Sequence, residues 1–445
     1  MIGLGRPGVA LIGLAAGAVL FLGAPGASAD PAAAARLRHL GFAINDAPPS
    51  PEEAQRFAAG EVTLDALVDT WLGGERHRAR IKRFFYDLFG TQDFAIISAN
   101  HVLLKKNALG IYKLPDKTDC SPTDAAEVGA WWLEPGQTVR VCNNSLSQQV
   151  EFGPRGQPGY WSCTYPNGME DPRCGCGSDL LLCAPEEKTA DMARASYFEF
   201  VERGLWAYEN GRSWMDLLAA NLFYGTRWEY YLYLWHGWMS PFGELPSAAD
   251  IARLKSLPLD RRGVTLYPES GAERAPVATG VNFMVQYNNF RSRIRILSER
   301  LLCQPITGAL NTDGIQTFVN QDLTEADRSH GTKAPCSGCH YALDNLGSTL
   351  LGWNDLGFYD GHTYSQQGHA FGQGGKGPRF LMQSFVERGP GFQECMARRA
   401  WEGFSGLTWS RLTPSEQQSF LKLVPAGPRA LFQGVLTSSA LKRMR

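Results

Sequence analysis

The sequence predicts a mainly α, multi-helix protein that is interrupted by one irregular, disulfide-rich insert. Two observations predict this fold class. Apolar residues recur at helical spacing along most of the chain, as in "VTLDALVDTWL" and "RARIKRFFYDLFG". Between residues 107 and 185 the composition shifts to Gly, Pro, Asn and Cys, and six of the ten cysteines lie there. At 445 residues the chain is long enough for two or three domains.

The amino terminus predicts export. "MIGLGRPGVALIGLAAGAVLFLGAPGASAD" has one basic residue, Arg6, then an apolar run and the small residues Ala27–Ala29. We expect a signal peptide over residues 1–29. A membrane anchor is the alternative, but the run is shorter than the roughly 20 apolar residues of a span. We therefore expect a periplasmic, extracellular or cell-surface protein with no integral membrane span after signal removal.

Four regions follow the expected signal peptide. Residues 30–106 form a helical region, in which Ser50, Pro51 and Glu53 predict a capped helix start and Gly90 a helix end. The insert spans 107–185 and includes a predicted short strand at "QTVRVC". Residues 186–262 are helical, with aromatic side chains that we expect in the core. In residues 263–445, "GHAFGQGGKGP" predicts a flexible loop before three helices, the last beginning at Thr413, Pro414 and Glu416.

The formal charge excludes one class of partner. Lys+Arg 43 against Asp+Glu 44 gives a net charge of -1. A chain this close to neutral has no overall field to attract nucleic acid, so we expect no nucleic-acid partner.

The most specific motif is "APCSGCHYALDNLG", residues Ala334–Gly347. Its C-x-x-C-H pattern is typical of covalent haem attachment, because two thiols reach the haem vinyl groups and the next residue supplies an imidazole for the iron. Composition alone would produce the pattern roughly 0.004 times in a chain of this length. The motif therefore predicts one covalent haem c on Cys336 and Cys339, with His340 as the proximal iron ligand.

The motif has three other interpretations. A structural zinc site would need a second ligand pair, and the chain has no other C-x-x-C and no H-x-x-x-H. A thioredoxin-like redox pair would need a βαβ setting. A tight disulfide between the two cysteines is the third interpretation.

The remaining eight cysteines are an even number, and in an exported protein we expect disulfides. Eight cysteines allow about 105 pairings, which sequence cannot resolve. We expect Cys120 to pair with Cys142, and further pairs among Cys163, Cys174, Cys176 and Cys183. Binding of zinc by four thiolates in and around "CGCGSDLLLC" is the alternative for the second group.

The segment "HGTKAPCSGCHYALDNLGSTLLGWNDLGFYD" resembles the haem-motif segment of exported bacterial planctomycete-type cytochrome-like proteins, catalogued as domains of unknown function fifteen-ninety-two, fifteen-eighty-eight and fifteen-eighty-five. The positions that match the family pattern are His330, Cys336, Cys339, His340, Asp344, Leu346, Gly347, Leu350 and Gly357. The chain departs from the family at Asn345, Leu351 and Asn354, where Pro, Glu and Asp are usual. The resemblance implies that residues 263–445 form a cytochrome c-like haem domain.

The resemblance also implies further contacts around the haem. Two family-like segments, "RIRILSERLLCQPI" and "GPGFQECMARRAWEGFSG", contain Cys303 and Cys395, so we expect these to form a disulfide. His330 is the first candidate for the distal iron ligand, and Met382 and Met396 are alternatives, since Met/His ligation raises the potential. His362 and His369 are weaker candidates. An open sixth position would instead allow small molecules to bind.

We therefore expect an exported monohaem c-type cytochrome that transfers single electrons to or from an unidentified redox partner protein. One alternative is a haem-dependent oxidoreductase, a peroxidase or oxygenase, with an open distal site. The other is a haem-containing surface or assembly protein. The sequence indicates no catalytic residue for either alternative.

Overall fold

The computed structural model describes residues 30–89, 103–147, 151–152, 161–163, 174–238, 246–268, 273–287, 289–305, 337–353 and 365–443. For residues 337–341 the description covers the backbone alone. The protein is mostly helical, as predicted. The predicted signal peptide and Gly90 lie outside the described residues.

Four helices open the described chain, and their starts follow from local capping. They are α1 (Pro31–Asn45), α2 (Pro51–Ala58), α3 (Leu64–Leu72) and α4 (Glu75–Phe89). The capping box predicted for α2 is confirmed. The Ser50 amide donates to Glu53 Oε2 at 2.7 Å, and the Glu53 amide donates to Ser50 Oγ at 3.2 Å. Each bond satisfies a backbone group that has no partner within the helix.

The insert contains a small mixed sheet. The strands of the insert are β1 (Leu103–Lys106), β2 (Tyr112–Lys113), β3 (Ala125–Val128), β4 (Val139–Cys142), β5 (Glu151–Phe152), β6 (Trp161–Ser162) and β7 (Ala184–Pro185). The order of the strands in the sheet is β3-β4-β2-β1-β7, and β5 and β6 form a separate pair. The predicted strand at "QTVRVC" is confirmed as β4, which pairs antiparallel with β3 and parallel with β2.

The aromatic-rich region forms four helices and two paired strands. These are α5 (Thr189–Glu209), α6 (Trp214–Leu218), β8 (Leu222–Gly225), α7 (Arg227–Trp238), α8 (Ala248–Ser256) and β9 (Gly263–Leu266). The prediction that its aromatic residues belong to the core is confirmed for Tyr230, Tyr231 and Tyr233, which are buried. Tyr231 stacks on Trp131 of the insert with ring centres 4.0 Å apart.

In the carboxy-terminal region, the described residues form eight α-helices and a hairpin. They are α9 (Val281–Gln286), α10 (Phe290–Leu301), α11 (Ser337–Gly347), β10 (Gln367–Ala370), β11 (Gln373–Lys376), α12 (Gly377–Arg388), α13 (Phe392–Ser405), α14 (Pro414–Leu421), α15 (Pro428–Leu436) and α16 (Ser439–Arg443). The capping box predicted at Thr413 and Glu416 is confirmed.

Two predictions for this region are wrong. The segment "GHAFGQGGKGP" is not a flexible loop, because residues 367–376 pair as an antiparallel hairpin. Five α-helices follow the hairpin within the described residues 377–443, rather than the predicted three. The hairpin packs on the end of α11, and this tertiary contact holds a glycine-rich strand that local propensity would leave irregular.

Two hydrophobic cores hold the described chain together. The first contains residues from both ends, from Leu37 on α1 to Leu441 on α16, and surrounds Met382, Met396 and Trp401. The second joins the insert to α7 and α8. Hence the segment around the C-x-x-C-H motif sits on a core to which the amino-terminal helices also contribute.

Candidate functional site

The C-x-x-C-H motif lies at the start of α11. Cys339 and His340 fall in the first turn of this helix, while Cys336 and the candidate ligands His330 and His362 lie outside the described residues. The backbone thus places the second cysteine and the histidine at one helix end.

Helix α11 is held firmly by packing against its neighbours. It packs on α10 and on β10, and a short 3-10 turn, Ser348–Leu350, continues it. Ala342, Leu346 and Leu350 are buried in the first core. Gly347 lies against the Phe290 ring so closely that a Cβ could not fit there. This contact gives a physical reason for glycine at position 347.

The last turns of α11 carry a buried acidic side chain. Asp344 Oδ1 lies 2.5 Å from Nε of Arg291 on α10, and its side chain is 8% exposed. The other carboxylate oxygen, Oδ2, and the amide nitrogen Nδ2 of Asn345 are buried with no hydrogen-bond partner among the described residues. Buried polar atoms without partners are uncommon in native proteins and often mark a site that takes another group.

The disulfides decide which cysteines remain for the motif. Four bonds join Cys120–Cys142, Cys163–Cys174, Cys176–Cys183 and Cys303–Cys395. The predicted pairs Cys120–Cys142 and Cys303–Cys395 are confirmed. The alternative of four zinc-binding thiolates in the insert is wrong, because all four sulfurs are bonded to each other in two pairs. With eight cysteines used, Cys336 and Cys339 have no possible cysteine partner in the chain except each other.

The other candidate ligands, Met382, Met396 and His369, lie among the described residues. No described contact joins any of them to the C-x-x-C-H motif. Met382 on α12 and Met396 on α13 are fully buried in the first core. His369 lies on β10, the strand that packs on α11, and partial burial lowers its pKa. Burial is equally typical of a core methionine, so the distal ligand stays a prediction. Within the described ranges, no three His, Cys, Asp or Glu side chains cluster as a metal site would require.

A buried ionisable network connects the motif segment to the aromatic region. Glu199 on α5 accepts hydrogen bonds from the Tyr233 hydroxyl and, at 3.0 Å, from the Tyr267 hydroxyl. Burial raises the pKa of Glu199. The Arg274 guanidinium lies 4.7 Å from the Tyr233 ring centre and 4.6 Å from the ring centre of Trp353, shortly after α11. These are cation–π distances, so a buried cation links the two regions.

Two more charged side chains are buried beside residues of this network. Arg293 on α10 is fully buried, and its Nη1 donates to the Trp353 carbonyl at 2.8 Å. Glu229 on α7 is also fully buried, 2.7 Å from Arg262 Nη2. Its burial raises its pKa to about 7, although Arg262 acts in the opposite direction.

Sequence reasoning missed this network. The segment "SYFEFVERGLW" places Glu199 and Arg203 four residues apart between apolar residues. Charges at that spacing normally pair on an exposed helix face. In the structure both are buried, and Arg203 instead donates to the carbonyls of Asp216 and Leu217 at 2.8 and 3.0 Å. The only sequence signal was the surrounding density of aromatic residues.

No helix among the described residues has the length and apolar character needed to cross a membrane. The four disulfides fit an exported protein, because disulfides form and persist in oxidising compartments. Comparison of the chain with protein-family models, with curated proteins and with solved structures finds no match.

Proposed function

We propose that this protein is an exported monohaem c-type cytochrome that transfers single electrons. The observation that carries the proposal is the pairing of the other eight cysteines with one another. It leaves a C-x-x-C-H motif whose two thiols compete with no other cysteine, in a chain with the disulfides of an oxidising compartment.

The residues present fit a covalent haem. Cys336 and Cys339 would hold it through thioether bonds, and His340 would bind its iron, which supplies one-electron chemistry when the haem is bound. Helix α11 would fix the histidine backbone through its packing on α10 and β10. The buried Asn345 Nδ2 and Asp344 Oδ2, both without partners among the described residues, are the polar atoms available at the far end of this helix.

The family and the distal ligand belong to the same proposal. We assign residues 263–445 to the planctomycete-type cytochrome-like family on the motif positions that match it. His330 would be the distal ligand, and Met382 or Met396 would replace it only if the first core opens, because both are fully buried there.

The optical spectrum of the protein, produced with c-type haem maturation, tests attachment. We expect a c-type haemochrome that stays with the polypeptide after acid-acetone extraction. The double variant Cys336→Ala/Cys339→Ala should lose it, whereas Cys120→Ala/Cys142→Ala, which removes a disulfide of the insert, should keep it. A spectrum without covalent haem, or one that survives the first double variant, would contradict the proposal.

Carbon monoxide tests electron transfer against the enzyme alternative. An iron with two protein ligands stays low-spin and binds carbon monoxide slowly after reduction, whereas an open sixth position binds it rapidly. We expect slow binding in the wild type and rapid binding with a high-spin spectrum in His330→Ala. Rapid binding by the wild type would favour a haem oxidoreductase instead, and an unchanged His330→Ala spectrum would remove His330 as the ligand.

A further inference from the structure

A cavity of about 170 Å³ lies between α4 and α13. Phe84, Leu88 and Phe404 form its apolar lining, and Arg80 and Arg399 supply its positive charge. A cavity of roughly 150 Å³ holds a molecule of the size of benzene, so this one is large enough for a small organic ligand.

Arg399 has no carboxylate partner among the residues that the structure describes. Its Nη2 donates to the Glu299 carbonyl of α10 at 2.9 Å, and its Nε is buried without an acceptor. A neutral carbonyl satisfies one donor but not the charge. The nearby Glu402 carboxylate compensates this partly buried cation only in part, because Arg300 and Arg398 also act on it, so the site favours the arrival of an anion.

Arg80, the second arginine of the cavity, is only partly satisfied. Its Nη1 lies 3.3 Å from Asp46 Oδ1, and its Nη2 donates to the Gly403 carbonyl. Its Nε is also buried, and no described residue accepts a hydrogen bond from it. The cavity lining thus includes two guanidinium groups, and the buried Nε of each has no acceptor among the described residues.

The two acidic residues of the lining are already engaged elsewhere. Asp87 pairs with Arg83 at 3.1 Å. Glu402 lies 3.1 Å from Arg398 and also accepts from the Trp409 amide at 3.0 Å. Burial lowers the pKa of Arg399, the nearby Arg300 and Arg398 lower it further, and Glu402 acts in the opposite direction.

We propose that this cavity binds a small organic monocarboxylate, with its carboxylate on Arg399 and Arg80 and its short apolar part against Phe84, Leu88 and Phe404. Guanidinium groups bind planar carboxylates through paired hydrogen bonds, which accounts for two arginines at one cavity. The apolar lining disfavours inorganic phosphate, since it would leave phosphate oxygens without donors.

Titration calorimetry of the purified protein with sodium butyrate tests the proposal. We expect saturable binding at one site, with no comparable heat from butylammonium or from inorganic phosphate. Arg399→Gln should weaken binding at least about tenfold, the equivalent of about 1.4 kcal/mol. Arg388→Gln is the control, because Arg388 is an exposed arginine at the end of α12 that does not line the cavity.

Two further measurements keep the test independent of variant folding and of the haem. In the wild type, butyrate should shift two arginine Nε–Hε resonances, and Arg399→Gln should remove one of them. The haem-free Cys336→Ala/Cys339→Ala variant should bind butyrate as the wild type does. Absent binding, equal weakening by Arg388→Gln, or binding by the haem-free variant alone, which would assign the site to a haem propionate, would each overturn the proposal.

Discussion

Glu229 is a carboxyl group in an environment that favours its neutral form. It is fully buried on α7, and burial raises its pKa from the usual 4.5 to about 7. The folded protein therefore keeps this proton between those two pH values, while the unfolded chain has released it. Folding stability is then lost as pH rises through the window from about 4.5 to about 7, and the loss is complete above it.

We expect Glu229→Gln to remove most of this pH dependence. The shift corresponds to about 3 kcal/mol of unfolding free energy in the wild type between pH 4.5 and pH 8. The glutamine variant should resemble the wild type at pH 5 and fall less in stability by pH 8. Urea unfolding at both pH values measures the change in unfolding free energy. Glu394→Gln, which replaces an exposed glutamate, is the control. An unchanged pH slope in Glu229→Gln would show that Arg262 keeps the carboxylate ionised.

Single residues also mark where sequence reasoning worked. The capping boxes at Ser50 and Thr413 were predictable because donor and acceptor lie three residues apart and need no tertiary contact. The burial of Glu199 and Glu229 was not predictable, because it depends on which helices surround α5 and α7. No local pattern separates a buried glutamate from an exposed one.

At the scale of elements, the β10–β11 hairpin shows why a local pattern failed. Its glycines indicated a loop, yet Gly368 lies where the hairpin touches the end of α11. A Cβ at Gly368 would lie 2.7 Å from the Asn345 carbonyl oxygen and 2.5 Å from Thr349 Cγ2. The glycine is therefore required by close packing rather than by flexibility.

We expect Gly368→Ala to destabilise the protein by about 1–3 kcal/mol, the usual cost of overpacking a close contact. Gly374→Ala in the facing strand is the matched control, because the nearest atom to its Cβ would be 3.9 Å away. Thermal unfolding followed by circular dichroism compares the two variants. Equal midpoints would mean that the hairpin can move away from α11 without cost.

For the whole molecule, the Cys303–Cys395 disulfide joins the end of α10 to α13 across 92 residues of sequence. That span contains the motif, α11 and the hairpin. The sequence resemblance predicted this bond, whereas the pairs Cys163–Cys174 and Cys176–Cys183 required the structure. Four cysteines in 21 residues allow several pairings, and spacing alone favours none of them.

We expect the double variant Cys303→Ala/Cys395→Ala to lose about 4–5 kcal/mol of unfolding free energy, by the chain-entropy estimate for a loop of this length. Cys120→Ala/Cys142→Ala, whose cysteines are 22 residues apart, should lose less, about 3 kcal/mol. Guanidinium unfolding of both variants gives the comparison. A larger loss for the shorter loop would mean that native packing, not chain entropy, dominates.

The same disulfide closes residues 303–395 into a covalent ring. A protease that cuts any one peptide bond between Cys303 and Cys395 leaves two fragments joined through sulfur. Such a nicked molecule would migrate as a full-length chain on a non-reducing gel and as two pieces after reduction. One cleavage near the motif would therefore not release the segment that carries it.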